Sequence, residues 1–216
     1  MIAEDEYTLK RKLMVEEQIA GRGIRDARVL AALGRVPRHC FIPPENLAWA
    51  YADGPLPIGY GQTISQPYIV ALMSELLEVE PGERVLEVGS GCGYQAAVLG
   101  ELAAEVHTVE VIPELACQAE KNLTDLGYTS IHVHTCDGSL GWPGAAPYRR
   151  ILVAAAAPEV PPALPDQLAE GGQLVIPVGD RSVQNLEVWK RAGRRFDHWV
   201  SLEVRFVPLR GLYGWK

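Results

Sequence analysis

Val85-Leu86-Glu87-Val88-Gly89-Ser90-Gly91-Cys92-Gly93 is the stretch whose reading decides the fold. It reads as an apolar strand entering a glycine-dense turn, with a helical run, Tyr94 to Leu102, behind it. Glycines tolerate positive φ and carry no Cβ, so the backbone can approach a ligand closely. A turn of this kind at a helix N-terminus, on the carboxyl edge of a parallel sheet, makes a cofactor pocket. The spacing argues against a dinucleotide. G-x-G-x-x-G would need its third glycine at 94, where Tyr94 stands, and the third glycine here is Gly93.

An acidic residue, Glu87, two positions before the first of three alternating glycines is similar to the S-adenosylmethionine loop of class I methyltransferases. The chain after Gly82 alternates in the way such a fold requires. Val106–Glu110 reads as a second strand, Pro113–Leu126 as a helix stopped by Gly127, and Ile131–Thr135 as a third strand ending in Cys136-Asp137-Gly138. Glu110 lies at the tip of the second strand, where a carboxylate can accept the ribose hydroxyls of an adenosine cofactor. Asp137 lies at the third tip, placed to reach the adenine amino group. Taken alone, each acid is also readable as a solvated strand end or a turn signal. The combination of Gly89, Ser90, Gly91 and Gly93 with Glu87, Glu110, Asp137 and Gly138 is more specific than any single member.

Arg150–Val153 reads as a buried fourth strand running into Ala154–Ala157. Pro162–Glu170 reads as a short helix ended by Gly171-Gly172, and Gln173–Val178 as the fifth strand. Asn185–Lys190 and Leu202–Leu209 alternate as a closing antiparallel pair would. The expected fold is therefore α/β, a doubly wound Rossmann-like sheet, mostly parallel, with an antiparallel strand near the C-terminus. Upstream, Glu4–Arg22 reads as a helix with Leu9, Leu13 and Met14 on one side. Asp26 caps a second helix carrying Val29, Leu30 and Leu33. Residues 36–62 hold five prolines and read as irregular. Thr63–Pro67 opens an apolar helix, Tyr68–Leu77, beside which Ser65 reads equally well as a helix cap or as a catalytic group. The division expected is a helical subdomain with a substrate-side loop over 1–80 and a cofactor-binding core over 81–216, in one compact unit.

The bulk numbers describe an ordinary globular chain. Of 216 residues, 48% are hydrophobic and 22% charged, and the net charge of −7 argues against a broad nucleic-acid footprint. Cys40, Cys92, Cys117 and Cys136 show no C-x-x-C spacing, so no metal site is expected and a reducing, cytoplasmic setting is. No run approaches the roughly 20 apolar residues of a membrane span.

Nearly end to end, the chain resembles the bacterial protein-L-isoaspartate O-methyltransferase family. The resemblance rests on Arg22-Gly23-Ile24, Val36–His39, Tyr51–Gly59, Gly61–Tyr68, Val85–Gln95, Gly171-Gly172 with Val175–Gly179, and Arg205–Leu209. Gln62–Pro67 and Arg205–Leu209 are particular to that family. The resemblance implies methyl transfer from S-adenosylmethionine, leaving S-adenosylhomocysteine. The acceptor implied is the free carboxylate of L-isoaspartyl, and more weakly D-aspartyl, residues in damaged proteins and peptides. It further implies a protein-repair role, with neither nucleic acid nor membrane as partner, and a monomer is expected. By match, Ser65 is the active-site serine. Thr63, Ile64 and the glycine loop fall on the cofactor side, and Ile58, Ser65, Phe206 and Val207 on the acceptor side. Departures from the family pattern are Ser90, Cys92, Cys136, Ala154 and Ala157. No Ser-His-Asp or Cys-His set is visible, and methylating a carboxylate, already ionised at neutral pH, needs none. Rival readings are an RNA or small-molecule methyltransferase and a non-catalytic adaptor on the same fold. A methyl-acceptor assay separates the first, and cofactor binding without transfer would favour the second.

Overall fold

In the computed structural model, residues 4–103 and 105–215 are described. The centre is a seven-stranded sheet of β3 (Arg84–Val88), β4 (Glu105–Glu110), β5 (Ile131–Thr135), β6 (Tyr148–Val153), β7 (Leu168–Gly179), β8 (Gln184–Ala192) and β9 (Arg195–Val204). Its order is β5-β4-β3-β6-β7-β8-β9. The first five strands in this order pair in parallel; β8 and β9 complete the sheet antiparallel. The chain winds outward from β3 to β5, then returns to the other side of β3 as β6. The strand order thus reverses between β3 and β6, where open α/β sheets bind ligands at their carboxyl edge.

Each face of the sheet carries a core. On one, α3 (Pro67–Leu77) and α4 (Tyr94–Gly100) pack with α2 (Ala27–Arg35) and the N-terminal helical run against Val85, Val106, Leu152 and Val175. On the other, Leu86, Val88, Val109, Ile151 and Ile176 pack with Leu164, Leu168 and Leu209. The first cluster takes residues from Tyr7 through to Val204, so the N-terminal helices and the sheet share one core.

Four local expectations are corrected. The N-terminal run is helical to Arg22, but only Glu4–Leu13 (α1) is α; Met14–Ile19 winds as a π-helix and Ala20–Arg22 as a 3-10 turn. Residues five apart lie on different faces of an α-helix, and closing i→i+5 brings Met14 and Ile19, both fully buried, to one side. Leu9 and Leu13 face solvent instead, and Tyr7 takes the inward position. Residues 36–62 are not structureless: 3-10 turns span Arg38–Phe41 and Pro44–Trp49, and β1 (Leu56–Gly59) pairs with β2 (Gln62–Ile64) as a hairpin.

The short helix α6 covers only Ala163–Asp166, and Gly171-Gly172 belongs to β7. Tyr148 pairs with Leu168, but Arg150 pairs with Gln173, so β7 carries extra residues at that point. Gly171 takes them up at φ +69°, and a Cβ on Gly172 would stand 2.8 Å from the Ala169 carbonyl oxygen. Finally, the last strand is Arg195–Val204, not Leu202–Leu209. Ala192 pairs with Arg195 across Gly193-Arg194, with Gly193 at φ +65°. A glycine at the first central position of a two-residue turn is a hairpin signature.

Candidate active site

Backbone geometry builds the cleft first. β3 delivers the chain into Gly89, Gly91 and Gly93 at φ +94°, +51° and +93°. The Val109 carbonyl accepts the Gly89 and Ser90 N–H groups at 2.8 and 3.2 Å, tying the loop to β4. Glu110 does the rest. Its Oε2 accepts Gly91 N–H at 2.9 Å, and its Oε1 accepts the N–H groups of Val111 and Ile112 at 2.9 and 3.1 Å. A carboxylate has about four lone-pair sites, so three backbone bonds leave room for one further donor rather than for a bidentate grip. Glu110 therefore shapes the loop as much as it faces the cleft it lines.

The other predicted cofactor residues divide. Thr63, Ile64, Gly89, Ser90, Gly91 and Gly138 line the cleft. Gly93 does not: a Cβ there would meet Leu123 Cγ at 3.3 Å and Ala119 at 3.4 Å, so this glycine lets α5 (Pro113–Asp125) pack close. Glu87 lies behind the loop, fully buried, with Oε2 accepting the Thr108 hydroxyl at 2.5 Å and Oε1 unpartnered. Burial pushes its carboxyl up to about 8, against the Thr108 bond and with help from Glu110. Asp137 lies outside the cleft lining. Its Oδ1 accepts the Ser139 N–H and hydroxyl at 2.9 and 2.7 Å, and its Oδ2 accepts the Leu212 N–H at 2.7 Å. It thus tethers the C-terminal segment and, like Glu110, keeps room for one further donor.

A second cavity, a groove, opens beside the cleft. Arg22, Pro55, Gln66, Tyr68, Val183 and Phe206 help to line it, and Thr63, Ser65, Ala154 and Val207 line both cavities. Ser65 is half-buried at this seam. The N-cap of α3 is Gln66, not Ser65, and it makes no side-chain cap bond. Among the described residues the Ser65 hydroxyl has no hydrogen-bond partner, so the capping reading loses its support. Ile58, expected on the acceptor side, lines neither cavity; its Cδ1 would stand 3.2 Å from a Cβ on Gly91, so it packs onto the loop from outside. Across the seam, Arg205–Leu209 is strapped to the run after β6. Ala156 N–H donates to the Val207 carbonyl at 2.8 Å, and Leu209 N–H to the Ala156 carbonyl at 2.7 Å. Phe206 N–H is taken by Gln184 Oε1 at 2.8 Å. Val207 N–H has no partner among the described residues.

The model of the Protein-L-isoaspartate(D-aspartate) O-methyltransferase (PCMT) family matches residues 9–213. The chain belongs to this family. A protein-L-isoaspartate O-methyltransferase of Methanoregula boonei is 56% identical over 207 residues, covering 96% of this chain and 95% of its own. One from Dictyoglomus thermophilum is 50% identical over 211 residues, covering 98% and 96%. A solved protein-L-isoaspartate O-methyltransferase superposes with a TM-score of 0.85 at 29% identity, over 95% of this chain and 67% of that one. The Plasmodium falciparum PCMT, solved with S-adenosyl-L-homocysteine, superposes at 0.81 with 26% identity, over 93% and 98%.

The residues present fit the PCMT cofactor, S-adenosylmethionine. Bare backbone faces the cleft at Gly89 and Gly91, the buried Ser90 hydroxyl has no partner among the described residues, and Glu110 keeps acceptor capacity. Among the described residues no group of three His, Cys, Asp or Glu side chains is set to hold a metal ion, and no helix is long and apolar enough to cross a membrane. Reading the sequence missed Gln184, Val111 and Ile112. The last two carried a signal, since they directly follow the acid whose oxygen holds them. Gln184 carried none, because its partner lies 22 residues downstream in an irregular segment.

Proposed function

We propose that this chain transfers a methyl group from S-adenosylmethionine to the free carboxylate of L-isoaspartyl residues, and more weakly of D-aspartyl residues, in damaged proteins and peptides. When bound, the cofactor supplies a methyl group already activated on a sulfonium. Gly89, Ser90, Gly91, Glu110 and Gly138 would hold it. The acceptor carboxylate is ionised at neutral pH, so no side chain has to remove a proton. The protein's task is alignment and exclusion of water, effects that together can reach about 7–11 kcal/mol.

One observation carries this reading. At the seam between cleft and groove, the Ser65 hydroxyl and the Val207 N–H both lack partners among the described residues. Ser65 donates to one carboxylate oxygen and Val207 to the other, orienting a lone pair toward the cleft. Neutral donors suit the task, because a fixed cation would stabilise the ground-state anion more than the transition state in which its charge is being lost. The groove, lined by Arg22, Pro55, Tyr68, Val183 and Phe206, would receive an extended peptide. The four cysteines lie without C-x-x-C spacing, which supports a reducing, cytoplasmic setting.

The test compares methyl transfer to an isoaspartyl peptide, its aspartyl twin and an RNA. Transfer to the first alone is expected; equal transfer to the twin, or transfer to RNA, overturns the reading. Ser65→Ala will lower kcat/KM for the isoaspartyl peptide about 10- to 100-fold, the worth of one hydrogen bond to a charged group. An unchanged kcat/KM in a folded variant removes Ser65 from the mechanism.

A further inference from the structure

The acceptor-binding segment has no regular secondary structure, yet its geometry must be held closely. It is pinned on one side by the Ala156 bonds to Val207 and Leu209. On the other side the pin is Gln184, a side chain only 2% exposed. Its backbone pairs with Gly179 of β7 and Val204 of β9, so it stands where three strands meet. Its Oε1 accepts the Phe206 N–H at 2.8 Å and its Nε2 donates to the Asp180 carbonyl at 2.5 Å. That carbonyl belongs to a loop tied by Asp180 Oδ1, which accepts the Ser182 N–H and hydroxyl and the Val183 N–H. An amide with a donor facing its oxygen and an acceptor facing its nitrogen has one orientation.

We infer that Gln184 is a positioning residue for methyl transfer: it takes the Phe206 N–H out of play and leaves the Val207 N–H as the donor presented beside Ser65. The inference rests on the acceptor reading of the groove. Adjacent amides compete for one carboxylate unless something chooses between them. Here a buried side chain occupies one, and the Ala156 bond to the Val207 carbonyl fixes the peptide plane that follows the other. The same loop places Val183 in the groove wall, so anchor and wall move together.

The test uses the full chain and two variants. Gln184→Met keeps the length and removes both bonds; Gln184→Glu keeps an acceptor for Phe206 and loses the donor to Asp180. Amide exchange at Phe206, followed by NMR, is expected to speed up about tenfold or more in Gln184→Met and to stay slow in Gln184→Glu. For an isoaspartyl peptide, kcat/KM falls about tenfold in Gln184→Met, mainly through KM, and recovers in part in Gln184→Glu. S-adenosylhomocysteine affinity by calorimetry stays within about twofold in all three proteins. A purely structural role would lower stability and leave KM alone. The inference is overturned by unchanged Phe206 exchange in Gln184→Met, by an unchanged kcat/KM, or by an equal loss of cofactor affinity. A wild-type chain inactive on the isoaspartyl peptide sinks the acceptor reading itself, and the Phe206 exchange comparison still decides the anchor.

Discussion

Replacing Glu87 by glutamine is expected to flatten the pH dependence of folding stability. Glu87 is fully buried and its Oε1 has no partner among the described residues. Burial raises its carboxyl from 4.5 to about 8; the Thr108 hydrogen bond opposes this and Glu110 adds to it. Between those two values the folded chain holds a proton that the unfolded chain has released. The group's contribution is fully present below about 4.5 and is lost as pH rises through about 8. Each unit is worth 1.36 kcal/mol, so the limiting loss over the whole window is about 5 kcal/mol. Between pH 5.5 and 7.5 it is about 2–3 kcal/mol, reduced by loop relaxation and water penetration. Glutamine keeps the size and the acceptor for Thr108 and cannot ionise. Urea unfolding at fixed ionic strength, in half-unit pH steps, reads the difference between variant and wild type. That difference should grow in favour of the variant by about 2–3 kcal/mol from pH 5.5 to 7.5. Subtraction cancels His107 and His134, whose burial lowers their pKa and which contribute with the opposite sign. Parallel curves, within about 0.5 kcal/mol, would refute the argument that a neutral carboxyl sits under the loop.

Three further substitutions probe the cleft. Gly138→Ala places a Cβ 2.6 Å from Val88 Cγ1 and 3.0 Å from Val109 Cγ2; overpacking of this kind costs about 1–3 kcal/mol, and S-adenosylhomocysteine affinity by calorimetry is expected to fall with it. Asp137→Ala removes the acceptors for Ser139 and for Leu212 N–H, a loss of about 2–3 kcal/mol. Amide exchange at Leu212 should rise, and an unaltered rate there would show that the tether holds nothing. Ile58→Ala empties the space over Gly91 and costs about 2–5 kcal/mol by thermal or urea unfolding. A cofactor affinity that survived unchanged would mean that the loop keeps its shape without the packing.

The parts of the fold that were legible are those where the backbone itself constrains residue choice. Gly89 and Gly91 stand at positive φ beside a ligand cleft, and their spacing alone separated this loop from a dinucleotide fingerprint. Alternation failed at the last strand. β9 exposes most of both its faces, so no apolar period marks it, and the better marker was Gly193-Arg194 at the turn. Gly171-Gly172 looked like a helix stop because a bulge and a C-cap ask for the same residue. At the site, strand-tip acids are alike in sequence. Glu110 and Asp137 differ only in which backbone groups claim their oxygens, and Asp137 is claimed by Leu212, 75 positions away. Family resemblance singled out Ser65 and Val207; that the Ser65 hydroxyl and the Val207 N–H lack partners among the described residues was visible only in three dimensions.

The seam shared by cleft and groove is drawn from distant parts of the chain: Thr63 and Ser65, then Ala154, then Val207. On the ribosome these arrive in that order. The strands that frame the cofactor, β3 to β6, have all emerged while the far wall of the groove is still unmade. A nascent chain can therefore begin to assemble its parallel sheet well before the groove exists, and the groove is completed only when residues 202–207 dock. The wall beside the cleft is thus added to a scaffold that is already largely paired.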